Sequence, residues 1–135
     1  MKPNPELKPI VYSCSGCSSA AQMANYLAVQ LDRKDLAEMS CIAGVGGNVK
    51  KLVRTAKSDR PIIVIDGCPL ACSKACLANH GVEPGMNIEL SAMGVSKKQH
   101  QEFDKVQADQ ILEILLGKIK ASFQTFNNAV EPCKL

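Results

Sequence analysis

Tryptophan is absent from this chain, which carries only three phenylalanines and two tyrosines. Single-stranded nucleic acid is held on aromatic platforms, so no such surface is expected. Charge makes no better case. The formal excess is +3 over 135 residues, and basic pairs such as Lys50-Lys51 and Lys97-Lys98 read as solvated faces. Long apolar runs are missing too: the longest, Pro61 to Ile65, has the length of a strand. Residues Met1 to Pro9 hold three prolines and no apolar run, unlike a signal peptide or a membrane anchor. The expected location is therefore the reducing cytoplasm, with neither nucleic acid nor membrane as a partner.

What the chain has is cysteine, seven in all. In a reducing compartment, cysteine spacing points to metal or catalysis before structural disulfides, and an odd count fits no complete disulfide framework. Six fall in three groups: Cys14-Ser15-Gly16-Cys17, Cys41 ahead of Ala43-Gly44, and Cys68, Cys72 and Cys76 behind Asp66-Gly67. Each group follows a stretch that reads as a β-strand. Cys133, in the terminal segment, is read as a bystander.

The length suits one domain over 1–135, with 1–8 as a flexible arm and 124–135 as a mobile tail. Four strand-then-helix units can be traced. Pro9 to Ser13 leads into a helix over Ser18 to Arg33, where Ala21, Ala24, Leu27, Ala28 and Leu31 recur at helical spacing. Ala37 to Ile42 leads into Asn48 to Lys57, with Val49, Leu52 and Val53 inward. Pro61 to Asp66 is continuously apolar up to its closing Asp66, as a strand covered on both faces should be. Pro69 to Asn79 follows as a helix with proline at its first position and Gly81 beyond its end. Met86 to Ser91 is the fourth strand. After a polar loop over Ala92 to His100, a last helix runs to Phe123, with Val106, Ile111, Leu115 and Ile119 in its buried stripe. The alternation predicts an α/β fold: a small open, mainly parallel four-stranded sheet with helices on both faces, Rossmann-like or flavodoxin-like, in order 2-1-3-4. Ligands of such sheets sit beyond the carboxyl ends of the strands where the order reverses, here beside Cys14 and Cys68.

The Cys14/Cys17 pair matches zinc sites and thiol–disulfide centres alike. On a helix starting at Pro69, Cys68 would be the N-cap and Cys72 one turn in, where the positive end of the helix favours thiolate. The simplest site is tetrahedral zinc on Cys14, Cys17, Cys68 and Cys72, which lowers the formal charge from +3 to about +1. Cys41 and Cys76 are second-tier ligands or packing residues. Six sulfurs exceed the needs of one zinc, leaving open an iron–sulfur cluster, a second ion, a dithiol switch or no cofactor. The spacing of Cys68, Cys72 and Cys76 does not match the common cluster motifs.

Ile65-Asp66-Gly67-Cys68-Pro69, with Cys72 and Cys76 behind it, resembles the signature of the DGC-domain family of zinc-binding-type proteins. Tyr12 to Ser18 and Cys41 to Gly47 resemble the family's other two cysteine motifs. The resemblance spans about Pro9 to Gly94 and implies zinc held by four chelating cysteines, with an ill-defined biochemical role.

Gly44-Val45-Gly46-Gly47 follows a strand and could cradle an anion on its amides, or serve as a tightly packed turn. Asp66 could orient a ligand near Cys68 or brace the following helix. His80 and His100 have no sequence partner marking either as a base. No Ser-His-Asp arrangement or cysteine-phosphatase loop is present. The expectation is a metal-binding protein whose partners are a metal ion and a small anionic or thiol-reactive ligand. A thiol redox or metalloid-handling enzyme on the same cysteines is the alternative. Oligomeric state is not legible.

Overall fold

A computed structural model describes residues 8–130, with side chains through Phe123. Its four strands are β1 (Ile10–Ser13), β2 (Glu38–Met39), β3 (Ile62–Asp66) and β4 (Met86–Glu89). They form one sheet in the order β2-β1-β3-β4, and every pair is parallel. The expected class and strand order are those observed. The helices are α1 (Ser19–Arg33), α2 (Ile42–Gly46), α3 (Lys50–Ala56), α4 (Cys72–Ala78) and α5 (Lys105–Val130).

The period-2 alternation of β1 and β3 divides the core into two layers. Val11, Ile63 and Ile65 face α1 and α5, packing with Met23, Leu27, Leu31, Ile111 and Leu115. Ile10, Tyr12, Ile62 and Val64 face the opposite side, with Val45, Ala56 and Leu77 of α2, α3 and α4. All five residues of β3 are buried: Ile62 to Ile65 as their unbroken apolar run requires, and Asp66 on the amides its carboxylate accepts from. Among the described residues no helix is long and apolar enough to cross a membrane.

Several local expectations need correction. β2 is two residues, not six: the Met39 amide is taken by Asp32 Oδ1 at 2.9 Å, and Ile42 already begins α2. Hence the glycine segment expected as a turn is largely helix. The following helix starts at Lys50, behind Asn48 in the left-handed conformation, and Val49 is 49% exposed rather than inward. Val106 lies in the first turn of α5 and is 68% exposed; Ala108 and Leu112 join Ile111, Leu115 and Ile119 in the buried stripe instead. β4 ends at Glu89, where a 3-10 turn takes over through Met93. α5 runs past Phe123 to Val130. The arm at 1–7 and the tail from 131 onward, Cys133 included, lie outside the described residues.

Candidate thiolate site

The cleft beyond the carboxyl ends of β1 and β3 has a volume of about 190 Å³, and Cys14, Cys17, Cys68 and Cys72 all line it. Cys14 directly follows β1, with its amide donating to the Ile65 carbonyl at 3.2 Å, so it continues the sheet ladder by one residue. Cys17 is exposed on the turn into α1. Ser18 caps that helix, its hydroxyl accepting from the Ala21 amide at 3.1 Å. Ala21 itself forms part of the cleft wall.

The Asp66-Gly67-Cys68 triplet has a different task for each residue. Asp66 is 3% exposed, and its carboxylate accepts from the Ser73 amide at 2.9 Å and the Lys74 amide at 3.2 Å. It therefore caps α4 from the end of β3, satisfying first-turn donors that the helix cannot satisfy itself. That is the bracing role, and it spends the carboxylate. Gly67 passes so close to α1 that an added Cβ would lie 2.7 Å from the Ala20 carbonyl carbon. Its amide donates to Cys14 Sγ at 3.2 Å, the kind of contact that stabilises sulfur carrying negative charge. Cys68 then turns into the cleft, half-buried.

The helix expected from Pro69 begins at Cys72. Residues Cys68 to Ala71 form a turn closed by the Ala71 amide on the Cys68 carbonyl at 3.1 Å, and Ala71 adopts the left-handed conformation (φ 50°). Cys68 is thus no N-cap, and it does not share a helix face with Cys72. The left-handed alanine is strained by about 1–2 kcal/mol. Ala71→Gly is expected to raise the stability of the metal-free protein by roughly 0.5–1 kcal/mol, since glycine's larger unfolded-state entropy offsets part of the relief. Thermal unfolding checks this; an unchanged or lower midpoint goes against it.

Burial of Cys14 pushes its thiol up to about 11, with further upward pressure from Asp66, Cys72 and Cys68 and an opposing contribution from the Gly67 amide. The metal-free folded chain therefore keeps this proton through neutral pH. Unfolded, the thiol titrates near its ordinary value of 9.0. Stability linked to Cys14 is thus intact below about pH 9 and declines as pH rises toward 11. In the metal-free protein Cys14 should be alkylated more slowly than exposed Cys17 at pH 7.5, and the gap should close as pH approaches 11. Peptide-level mass mapping reads both rates.

The two remaining clustered cysteines stand apart. Cys76 is half-buried in the opposite core layer, where an added Cβ on Gly46 would meet its Sγ at 3.0 Å. Burial, Cys72 and Asp66 raise its thiol. Cys41 is exposed at the start of α2 and does not line the cleft. Of the glycines, Gly44 makes room for Leu52, and Gly47 donates to Ala43 at 2.8 Å; the Val45 and Val49 amides are likewise spent, on Cys41 and Gly44. This segment is built for packing between α2 and α3. His80 Nε2 donates to the Val45 carbonyl at 2.9 Å, tying the end of α4 to α2. His100 lies in an exposed loop with φ 61°.

Three residues that the sequence does not mark as site candidates also line the cleft: Leu70, Lys97 and Gln99. Lys97 and Gln99 follow the carboxyl end of β4, so the topological rule that singled out β1 and β3 applied to this loop as well. The cleft gathers sulfurs without yet forming a coordination sphere. Among the described residues no three Cys, His, Asp or Glu groups are close enough to hold an ion as they stand. In type and place, however, the donors suit a thiophilic ion, and Cys17 and Cys72 are exposed side chains with room to rotate.

A family model described as DGC domain matches residues 10–115, reaching beyond the cysteine motifs into the buried stripe of α5. A protein of Pseudomonas aeruginosa named "Anaerobic and virulence modulator AnvM" is 54% identical over 103 residues, covering 76% of this chain and 79% of its own length. No solved structure matches the chain. The match over most of the sheet and helices and the close relative give one answer: the chain belongs to the DGC-domain family.

Proposed function

We propose that this chain binds a metal ion through cysteine thiolates in the cleft, that the ion is zinc, and that Cys14, Cys17, Cys68 and Cys72 hold it. One observation carries the reading: sulfurs from two segments far apart in sequence line a single cleft at the switch point of the sheet. Cysteines used only as small apolar residues would be spread through the core instead. The Gly67 amide on Cys14 Sγ supports it, because backbone donors of this kind stabilise a ligating thiolate. Bound zinc would cross-link the β1 and β3 loops and neutralise part of the thiolate charge. The relative's name, an anaerobic and virulence modulator, supports a sensing or regulatory use of the site over turnover of a substrate. Protein purified anaerobically without added metal should carry about one zinc per chain by elemental analysis. Metal-free protein with every thiol titratable would remove the reading.

A second reading rests on the exposure of Cys17 and Cys72 beside half-buried Cys68. Two such thiols can form a disulfide, giving two electrons and two protons to an external oxidant. Thiol mass mapping at controlled potential should then find a reversible Cys14–Cys17 or cross-segment disulfide. Resistance of all thiols to mild oxidants would exclude it.

A further inference from the structure

The loop between the 3-10 turn and α5 brings to the cleft two side chains that the metal reading leaves unused. It is pinned to the first turn of α1 by one residue. The Ser19 amide donates to the Lys98 carbonyl at 2.8 Å, the Lys98 amide donates to Ser19 Oγ at 2.9 Å, and the Ser19 hydroxyl donates to the Ser96 carbonyl at 3.4 Å. Ser19 is 5% exposed, and Val95, just before the strap, is buried in the α1/α5 core. Residues therefore alternate along Ser96–Gln99. Ser96 and Lys98 are held on Ser19, while Lys97 and Gln99 project into the cleft.

There each meets a sulfur. Lys97 Nζ donates to Cys68 Sγ at 3.6 Å, and Gln99 Oε1 accepts from the Cys17 thiol at the same distance. Among the described residues Lys97 is the only cationic side chain lining the cleft, and Asp66 adds a buried negative charge close behind Cys14. Four thiolates on one divalent ion leave a net charge of −2, and a half-open cleft leaves that surplus only partly solvated. An ammonium beside one of the sulfurs, carried there by the pinned strap on an exposed side chain, offsets half of it.

We propose that Lys97 is a positioning residue of the thiolate site that compensates charge at Cys68, and that Ser19, by pinning the strap, delivers it. The inference rests on the metal reading for its ligand, but the local field at Cys68 can be measured without metal. In the first arm, zinc affinity of the full chain is measured by competition with a chromophoric chelator. Lys97→Met should weaken binding about tenfold, as loss of an outer-shell partner does, and Lys97→Arg should restore most of it. Ser19→Ala, which replaces neither a sulfur nor Lys97 but loosens the strap that carries Lys97, should weaken it about threefold to fivefold, the worth of one neutral hydrogen bond.

In the second arm the reduced, chelator-treated chain is alkylated at Cys68 with iodoacetate or iodoacetamide. In both reactions the same thiolate forms the new S–C bond while the C–I bond breaks and iodide departs. The ratio of the two rates at one pH cancels the fraction of thiolate and reads the charge nearby. Lys97→Met should lower the iodoacetate-to-iodoacetamide ratio about fourfold, the effect of one unit charge roughly 5 Å away in water, and Lys97→Arg should preserve it. An unchanged ratio in Lys97→Met overturns the proposal. So does an unchanged zinc affinity in a variant whose ratio has fallen. A lowered ratio in a chain whose wild type binds no zinc defeats the metal reading and leaves Lys97 assigned to Cys68.

Discussion

Replacing Gly67 by alanine is expected to destabilise the protein by about 3 kcal/mol, the upper end of the usual overpacking cost. The added methyl would lie 2.7 Å from the Ala20 carbonyl carbon and 2.8 Å from its oxygen. Both are backbone atoms of α1, so no side chain can swing away to relieve the contact. α1 and β3 must separate instead, and that opens the layer where Ile65 and Ala24 are fully buried. The same movement would draw the Gly67 amide from Cys14 Sγ. Gly16→Ala is the control, because its methyl would meet Ala21 Cβ at an ordinary 3.8 Å and should cost less than about 0.5 kcal/mol. Urea unfolding of the two variants gives the comparison. Equal midpoints would show that close approach is not the reason for glycine at 67.

The largest functional effect is expected from the cysteines themselves. Cys14→Ser and Cys68→Ser should each reduce zinc retained through purification at least tenfold, because serine is a poor ligand for a thiophilic ion and three thiolates leave the site open. Cys41→Ser should retain about one zinc per chain, since Cys41 is exposed outside the cleft. Cys76→Ser should retain it as well, at some cost in stability, because this side chain packs in the layer of Ile10, Val45 and Leu77. Elemental analysis after gel filtration distinguishes these outcomes. Loss of zinc from Cys41→Ser with retention in Cys14→Ser would assign the ligands wrongly here.

Legibility in the sequence followed the length scale of the signal. The unbroken Ile62 to Ile65 run and the recurrence of Ala24, Leu27, Ala28 and Leu31 reflect burial against whole layers, and both gave the elements observed. From them the parallel order followed, and with it the edge of the sheet at which Cys14 and Cys68 meet. Single-residue decisions were not legible. Whether α4 starts at Pro69 or Cys72 depends on Asp66 reaching two amides seven and eight residues ahead, a contact set by tertiary structure. Val49 and Val106 fit the helical period yet fall outside it, because each lies at a helix start facing solvent. Lys97 looked like one of a solvated pair; only Ser19, far earlier in the chain, turns it toward Cys68 and its neighbour Lys98 away.

Asp66, Gly67 and Cys68 illustrate how the motif works as a unit. A helix cap, a point of closest backbone approach and a sulfur are placed on three consecutive residues. The cap fixes α4 and hence Cys72, while the glycine sets the distance to α1 and hence to Cys17. Substitution at any of the three should therefore be felt at the others.

Zinc K-edge X-ray absorption on freshly isolated, anaerobically handled protein puts the matter most directly. A shell of four sulfurs near 2.3 Å is expected, reduced to three in Cys68→Ser and unchanged in Cys41→Ser. A shell dominated by nitrogen and oxygen, or one that Cys68→Ser leaves intact, would contradict a site built from the β1 and β3 loops.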